Sequence, residues 1–470
     1  MGSQGKPTVD FWWKNLQETF GDPPWSEYPD TDREYVTVYP SSLGEIDPAN
    51  IWAKRPICCY VHIPFCKHIC DFCFFLAYPA NVRRQEMYLA ALKKEIDMYA
   101  RMPYVQDSIV TALYFGGGTP SVLTGEQLGE LIDYIRNRIP FAEEAEIEVE
   151  AHPLTVEKEK LELLRSKGVT RVSFGVQSFK DDLLKAIGSP HHGEDAIRAI
   201  ELAHEVGFPK VALDLMFNKP GETTEDWIYD IETAISLNPT SVSCYRFSVV
   251  PRTPLFKRIS DLSLKMKDTQ GMYELWEETV RQFTSNGYYQ YTCTCFAKPG
   301  GESKYVLGAW KAPQLEVLGF GAGAVSFAMR GYVYINIHNL QEYMEVVNTG
   351  RLPVLMGKRI NLAEWMSRYV VLGVRAMEVS KDKFTELFGF YMDDIYAEEL
   401  QYLRDRNLIV DDEHTLKVTT PHGTWYIDNI SKRFFTSNNV RKPQPLWREL
   451  INVELPAVVR ESSLQFRHEG

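Results

Sequence analysis

The residues best equipped for chemistry lie in one short run, "YVHIPFCKHICDFCFF", Tyr60 to Phe75, where Cys66, Cys70 and Cys73 form a C-x3-C-x2-C pattern among aromatics. The chain holds eight cysteines, and thiols clustered in a large chain point to metal or redox chemistry more than to bridges. A [4Fe–4S] cluster as a rule takes four thiolates. Three leave one iron without a protein ligand, a vacancy that a chelating molecule can fill, as an open position marks a catalytic zinc. Two blander readings compete: a zinc site completed by His62 or His68, and buried free thiols. Zinc knuckles usually add a second distant C-x2-C pair, which this sequence lacks. Phe65, Phe72, Phe74 and Phe75 are expected to keep water from the cluster and tune its potential.

Short β-rich runs alternate with amphipathic stretches from residue 56 onward: "PICCYVHI", "SIVTALYF", "EIEVEAH", "VTRVSFGV", "KVALDLMF" and "TSVSCYRFSVV". Between the second and third, Leu128, Leu131, Ile132, Ile135 and Ile139 recur with the period of a helix that buries one face. Strand and helix in regular succession predict right-handed βαβ units and a parallel sheet, whose site lies at the carboxyl ends of the strands. The cysteine run follows the first strand and "GGGTP", Gly116 to Pro120, follows the second, so one rim carries both. Glu150 ends the third strand on that rim, where a lone carboxylate is more often solvated or a helix-cap acceptor, and Gln177 and Asp214 interrupt apolar strands and need polar partners. The fold class expected is α/β, a partial (β/α)6 TIM-like barrel with a small C-terminal helical, winged-helix-like domain.

The boundaries expected are an extension or cap over 1–55, the barrel over 56–300, a barrel-completing or connecting segment over 301–354, the C-terminal domain over 355–435 and a tail over 436–470. Trp12, Trp13, Trp25 and Trp52 in the extension could cap a flat apolar ligand, although packing is the commoner use of such residues. With 51 Lys+Arg against 63 Asp+Glu the net charge is -12, which gives phosphate-backbone binding no global help. The helix that could read DNA carries Glu398, Glu399 and Asp405, so nucleic acid is not an expected partner. No window is long and apolar enough to span a membrane, and "MGSQGKPTVDFWWKNLQETF" lacks the pattern of a secretory leader, so the cytoplasm is the expected location.

The cysteine run resembles the signature of the radical S-adenosylmethionine (SAM) superfamily. "YVHIPFC", followed in order by "YFGGGTPSVL", "EIEVEAHP", "VSFGVQSF", "DLMFNKPGET", "YRFSVVPRTPLF", "FAKPGGES" and "GFGAGAVSF", is similar to the branch containing oxygen-independent coproporphyrinogen III oxidase, haem chaperones and class C methyltransferases. The resemblance implies a [4Fe–4S] cluster on Cys66, Cys70 and Cys73, one or two SAM molecules, and reductive cleavage of SAM to a 5′-deoxyadenosyl radical. It implies SAM contacts from Gly117, Gly118, Thr119, Glu150, Gln177 and Asp214, with Tyr60 and His62 beside the cluster as catalytic candidates and Phe72 near a second SAM. It also implies a reducing donor such as flavodoxin or ferredoxin and a small aromatic, heterocyclic or tetrapyrrole substrate. Gly321 and Gly323 are expected to let backbone pass close beneath SAM, and Cys293 and Cys295 to be structural.

Departures from the family pattern narrow the function. The fourth cysteine that the oxidases carry two residues after the third is Phe75 here, and an arginine twelve residues beyond the "GVQ" glutamine is Ser189. The usual "GLP" is Asn218–Pro220, and the His-Asn pair of the haem chaperones is Tyr305 and Val306, with Trp310 retained. His191 and His192 could face a substrate, although paired loop histidines are more often solvent-facing. The reading preferred from sequence is a class C-like methyltransferase acting on an sp2 carbon of a small aromatic or heteroaromatic substrate. The alternatives kept are a coproporphyrinogen oxidase-like decarboxylase, an anaerobic haem-degrading enzyme and, outside catalysis, a haem chaperone.

Overall fold

A computed structural model describes residues 56–250, 253–261, 266–310, 315–328, 332–359 and 361–435. The expected cap over 1–55, with its tryptophans, and the tail over 436–470 lie outside the described residues. All the β-rich runs form strands: β1 (Pro56–Ile63), β2 (Ile109–Gly117), β3 (Phe141–Ala151), β4 (Arg171–Gln177), β5 (Lys210–Phe217) and β6 (Ser241–Arg246). They lie side by side in that order, each parallel to the next.

The sheet continues past both ends of this set. The short strands β7 (Tyr289–Gln290) and β8 (Cys295–Ala297) add antiparallel beyond β6. On the other side β9 (Glu316–Phe320) pairs parallel with β1, and β10 (Val325–Ala328), β11 (Tyr332–Asn336) and β12 (Val354–Arg359) extend it antiparallel. Among the described residues the result is one sheet of twelve strands whose two end strands do not pair with each other, a barrel left open. The run from 301 to 354 therefore supplies most of one flank, and the last strand begins one residue before the boundary expected at 355.

Side-chain alternation divides the sheet. In β1, Cys59, Val61 and Ile63 belong to the large core shared with the outer helices, whereas Cys58, Tyr60 and His62 face inward. Outside, α1 (Val82–Ala100) starts on an Asn81 cap and α2 (Gly125–Arg136) on a Thr124–Gln127 capping box. Of the five apolar residues predicted to form one helix face, four are buried in α2, and Ile139 is buried just beyond its end.

The inner face at the amino ends of the strands is closed by a polar plug. Arg171 of β4 pairs with Glu148 of β3 at 2.9 Å, both 4 % exposed, and also donates to the Gly301 carbonyl and the Ser241 hydroxyl. Ser303 donates to Glu148 at 2.6 Å and Lys210 to Glu146 at 2.7 Å. The "FAKPGGES" segment is thus the floor of the barrel.

The C-terminal part holds α3 (Leu362–Arg375), short helices at Lys381–Phe388, Ala397–Arg404 and Ile427–Arg433, and a three-stranded sheet of β13 (Glu378–Ser380), β14 (Ile409–Asp411) and β15 (Thr415–Val418). β14 and β15 form the predicted wing. A second core joins this part to the barrel: Trp365, Met366 and Val370 of α3 pack in one cluster with Cys58, Ala112, Val317 and Phe327.

Candidate functional site

The carboxyl ends of β1 and β2 are locked together before any ligand is considered. Gly118 N–H donates to the Ile63 carbonyl at 2.9 Å and Thr119 N–H to the Phe65 carbonyl at 2.8 Å, so the "GGGTP" turn runs along the start of the cysteine loop. Gly117 has φ +111°, and a Cβ there would lie 2.6–2.8 Å from the His62 ring. One on Gly118 would lie 2.8 Å from the Phe65 carbonyl oxygen. The glycines are thus required on this side by the protein's own packing, where the sequence suggested approach to a ligand. Likewise a Cβ on Gly321 would collide with Tyr88 of α1.

Cys66 is buried, while Cys70 and Cys73 are half-buried and sit on one tight turn in which Cys73 N–H donates to the Cys70 carbonyl at 3.0 Å. Thr119 donates its hydroxyl to Cys66 Sγ at 3.3 Å. Burial raises all three thiols, Cys70 to about 12, and Cys73 and Cys66 push Cys70 further in the same direction. Three thiols close enough to oppose one another's ionisation make thiolates stable only with a cation among them. Three thiols at C-x3-C-x2-C spacing on one loop fit the donor set of a [4Fe–4S] cluster with one iron left open.

Within the open lumen Tyr60 stacks on Tyr114 and Tyr305, which are tilted against each other, with ring centroids 4.6–6.0 Å apart. Tyr114 donates to Glu150, and Gly117 N–H donates to the other oxygen of that carboxylate at 3.2 Å. Burial in the lumen, with Asp214 and Glu148 nearby, raises Glu150 to about 8, and burial raises Asp214 to about 6. A surplus of carboxylates over cations on this wall favours a cationic ligand. Tyr60 O–H and His62 Nδ1 are 3.0 Å apart, and burial lowers His62 to about 4. His62 Nε2 faces the Leu76 carbonyl but makes no well-formed hydrogen bond, and Gln177 Oε1 is likewise buried without a partner. Gln177 is further held at φ 67°.

The remaining predicted residues divide. Phe72 packs edge-on to Phe247 at 6.0 Å, on the side of the cysteine loop facing the end of β6. Phe65 is fully buried against Tyr88, drawn into the core by strand alternation, while Phe75 is 63 % exposed and stacks on Phe74 at 4.6 Å. His191 is buried, bonded to Ser189 and to the Val176 carbonyl, whereas His192 lies exposed beside Asp181. Cys293 and Cys295 are both buried. Sequence reasoning missed Tyr114, although its parity with Gly116 on β2 places it inward, and it missed Lys219. That lysine, fully buried, pairs with Glu222 at 2.6 Å and Asp230 at 3.4 Å and donates to the Met216 carbonyl under the rim.

Comparison with known proteins agrees with this geometry. Residues 60–234 match the radical SAM superfamily. The chain is 34 % identical over 363 residues to the haem chaperone HemW of Bacillus subtilis, covering 77 % of this chain and 94 % of that one. It is 27 % identical to the oxygen-independent coproporphyrinogen III oxidase of Salmonella typhimurium, covering 82 % of this chain and 86 % of the relative. The structure of the Escherichia coli coproporphyrinogen III oxidase HemN superposes with a TM-score of 0.72 at 25 % identity, covering 83 % and 92 %. These relatives favour the haem-chaperone and oxidase readings over the methyltransferase reading preferred from sequence. A [4Fe–4S] cluster and SAM are the cofactors of the superfamily, and the thiol loop and carboxylate wall described above fit them. The chain belongs to the HemN/HemW-like branch of the radical SAM superfamily.

Proposed function

We propose that this protein is a haem-chaperone-type member of its branch: it holds a [4Fe–4S] cluster and SAM in the barrel mouth and binds a tetrapyrrole there. The observation that carries the reading is the set of three thiols on the loop after β1, facing a carboxylate wall, in a chain that covers 94 % of a haem chaperone at 34 % identity. Phe75, standing where the oxidases carry a further cysteine, weakens the decarboxylase reading.

Cys66, Cys70 and Cys73 would hold the cluster, and Glu150, Gln177, Asp214 and the Gly117–Thr119 turn would bind SAM. A [4Fe–4S] cluster held there would supply one-electron reducing chemistry, which haem binding does not itself consume. Glu150, held protonated near neutral pH by burial, gives up its proton when a ligand ammonium arrives and then accepts from it. Tyr114 and Gly117 N–H fix that carboxylate in place. His62 orders the glycine turn by filling the space beside Gly117. Tyr60, Tyr114 and Tyr305 line the lumen with flat apolar surface. The electron would come from a reducing partner such as flavodoxin or ferredoxin.

The test is anaerobic reconstitution followed by haem titration with and without SAM, every SAM-derived product being measured. Saturable haem binding without SAM consumption is the expected result. Release of 5′-deoxyadenosine together with S-adenosylhomocysteine would instead establish the methyltransferase reading. Failure to bind haem, with the cluster intact, would refute the chaperone assignment.

A further inference from the structure

Gln177 closes β4 in a conformation that its own chemistry disfavours. β4 and β5 pair evenly as far as Gly175 and Asp214, after which Leu215 lies opposite Gln177, so Val176 is an extra residue in β4. A bulge of this kind bends its strand and re-aims the neighbouring side chain. Gln177 absorbs it at φ 67°, in the left-handed region that is costly for a residue with a Cβ. Its Oε1 ends buried, with no hydrogen-bond partner in the protein. An amide oxygen only accepts, so what is missing there is an N–H or O–H donor.

A buried ionic network beneath the bulge holds it in this shape. Asp230, on the helix Thr224–Ser236, accepts from the Ser178 hydroxyl at 2.6 Å and from Phe179 N–H at 2.7 Å, the two residues that follow Gln177. Lys219 Nζ lies 3.4 Å from Asp230 and 2.6 Å from Glu222, and none of these three side chains is exposed. The same ammonium donates to the Met216 carbonyl of β5 and, at 3.4 Å, to the Gln177 carbonyl of β4. Glu222 accepts from the N–H groups of Asn218 and Lys219, which fixes the turn that carries the lysine. One cation thus ties the ends of two strands to the helix behind them. Buried ion pairs are weak support for stability, because desolvation offsets their attraction, and their best attested use is to fix one geometry.

We propose that Lys219 and Asp230 are positioning residues for SAM: they lock the bulge at the end of β4 in the geometry that presents the unpartnered Gln177 Oε1 to the ligand. Neither touches SAM; both act through Gln177, whose amide oxygen receives a hydrogen from the ligand in place of the partner that the protein withholds. The proposal rests on Gln177 as a SAM contact, as given under the proposed function.

The experiment is a cycle of variants titrated calorimetrically with SAM after anaerobic reconstitution, with iron content and melting temperature as controls on cluster and fold. Gln177→Gly removes the amide and tolerates the left-handed backbone. Lys219→Met with Glu222→Gln and Asp230→Asn removes the three charges together, so that none is left buried alone. The expected result is that each of the two binds SAM about tenfold more weakly, the worth of one hydrogen bond, and that combining them costs nothing further. Where the charge-free variant melts too early to titrate, Asp230→Asn alone, which keeps the shape, takes its place in the cycle. Wild-type affinity in the charge-free variant, or losses that multiply in the combination, overturns the proposal and leaves Gln177 as a SAM contact. Wild-type affinity in Gln177→Gly overturns that contact and the proposal with it.

Discussion

At the scale of single residues, the proposed function rests on three thiols and one carboxylate. Replacing Cys66, Cys70 or Cys73 with alanine is expected to abolish the iron–sulfur absorption and iron content of reconstituted protein while leaving its circular dichroism unchanged. Glu150 sits where burial holds it neutral near pH 7, rising to about 8 without ligand. A ligand ammonium must therefore displace its proton, so SAM affinity should increase as pH rises toward 8. Glu150→Gln should lose this dependence and about tenfold to a hundredfold in affinity, the worth of one charge-assisted hydrogen bond. Calorimetric titration with SAM at two pH values checks both. The thiols could be found from spacing alone, because ligation needs sulfur at short intervals on one loop. Glu150 could be placed on the rim but not protonated from sequence, since its shift comes first from burial in the closed sheet and then from Asp214 and Glu148 on neighbouring positions.

At the scale of elements, strands bring residues together by register and helices hold the register. Arg171 and Glu148 face each other because β3 and β4 pair at those two positions. Arg171→Ala would leave Glu148 buried without its partner, at a cost of about 3–5 kcal/mol in stability, measurable by denaturant unfolding. Glu95 of α1 ties the helix to the far flank, accepting from Gly321 N–H at 2.8 Å, Asn336 Nδ2 at 2.7 Å and Tyr343 at 2.5 Å. Burial raises it to about 7, above its value in an unfolded chain. Between those two values the native state holds the extra proton, so this group's contribution to stability falls as pH rises. Glu95→Gln has no proton to lose. Whatever its fixed offset, its melting temperature relative to wild type should therefore improve from pH 5 to about pH 7 and level off above that.

At the scale of the whole molecule, the barrel and the C-terminal part share a core and direct bonds. Trp276 donates to the Pro421 carbonyl and Thr424 hydroxyl at 3.2 and 3.1 Å, Cys293 N–H donates to the Arg375 carbonyl at 2.8 Å, and α3 packs on inward residues of β1 and β2. The two parts are expected to unfold together, so calorimetry should show one transition; two well-separated transitions would refute this coupling. What the sequence determined by itself is local: the strand runs, the α2 face, the three-thiol loop and the glycine turn. Those features follow from alternation, helical period and ligand spacing, all of which are properties of neighbouring residues. Only the tertiary structure decided that the glycines serve His62 and Phe65, that "FAKPGGES" closes the floor, that Phe65 is core while Phe75 is exposed, and that Gly188 presses on Asp71. Each of those depends on which strand lies beside which and on where a turn more than a hundred residues away is clamped. No local period or spacing encodes such a meeting, because it exists only once the sheet has closed the distance.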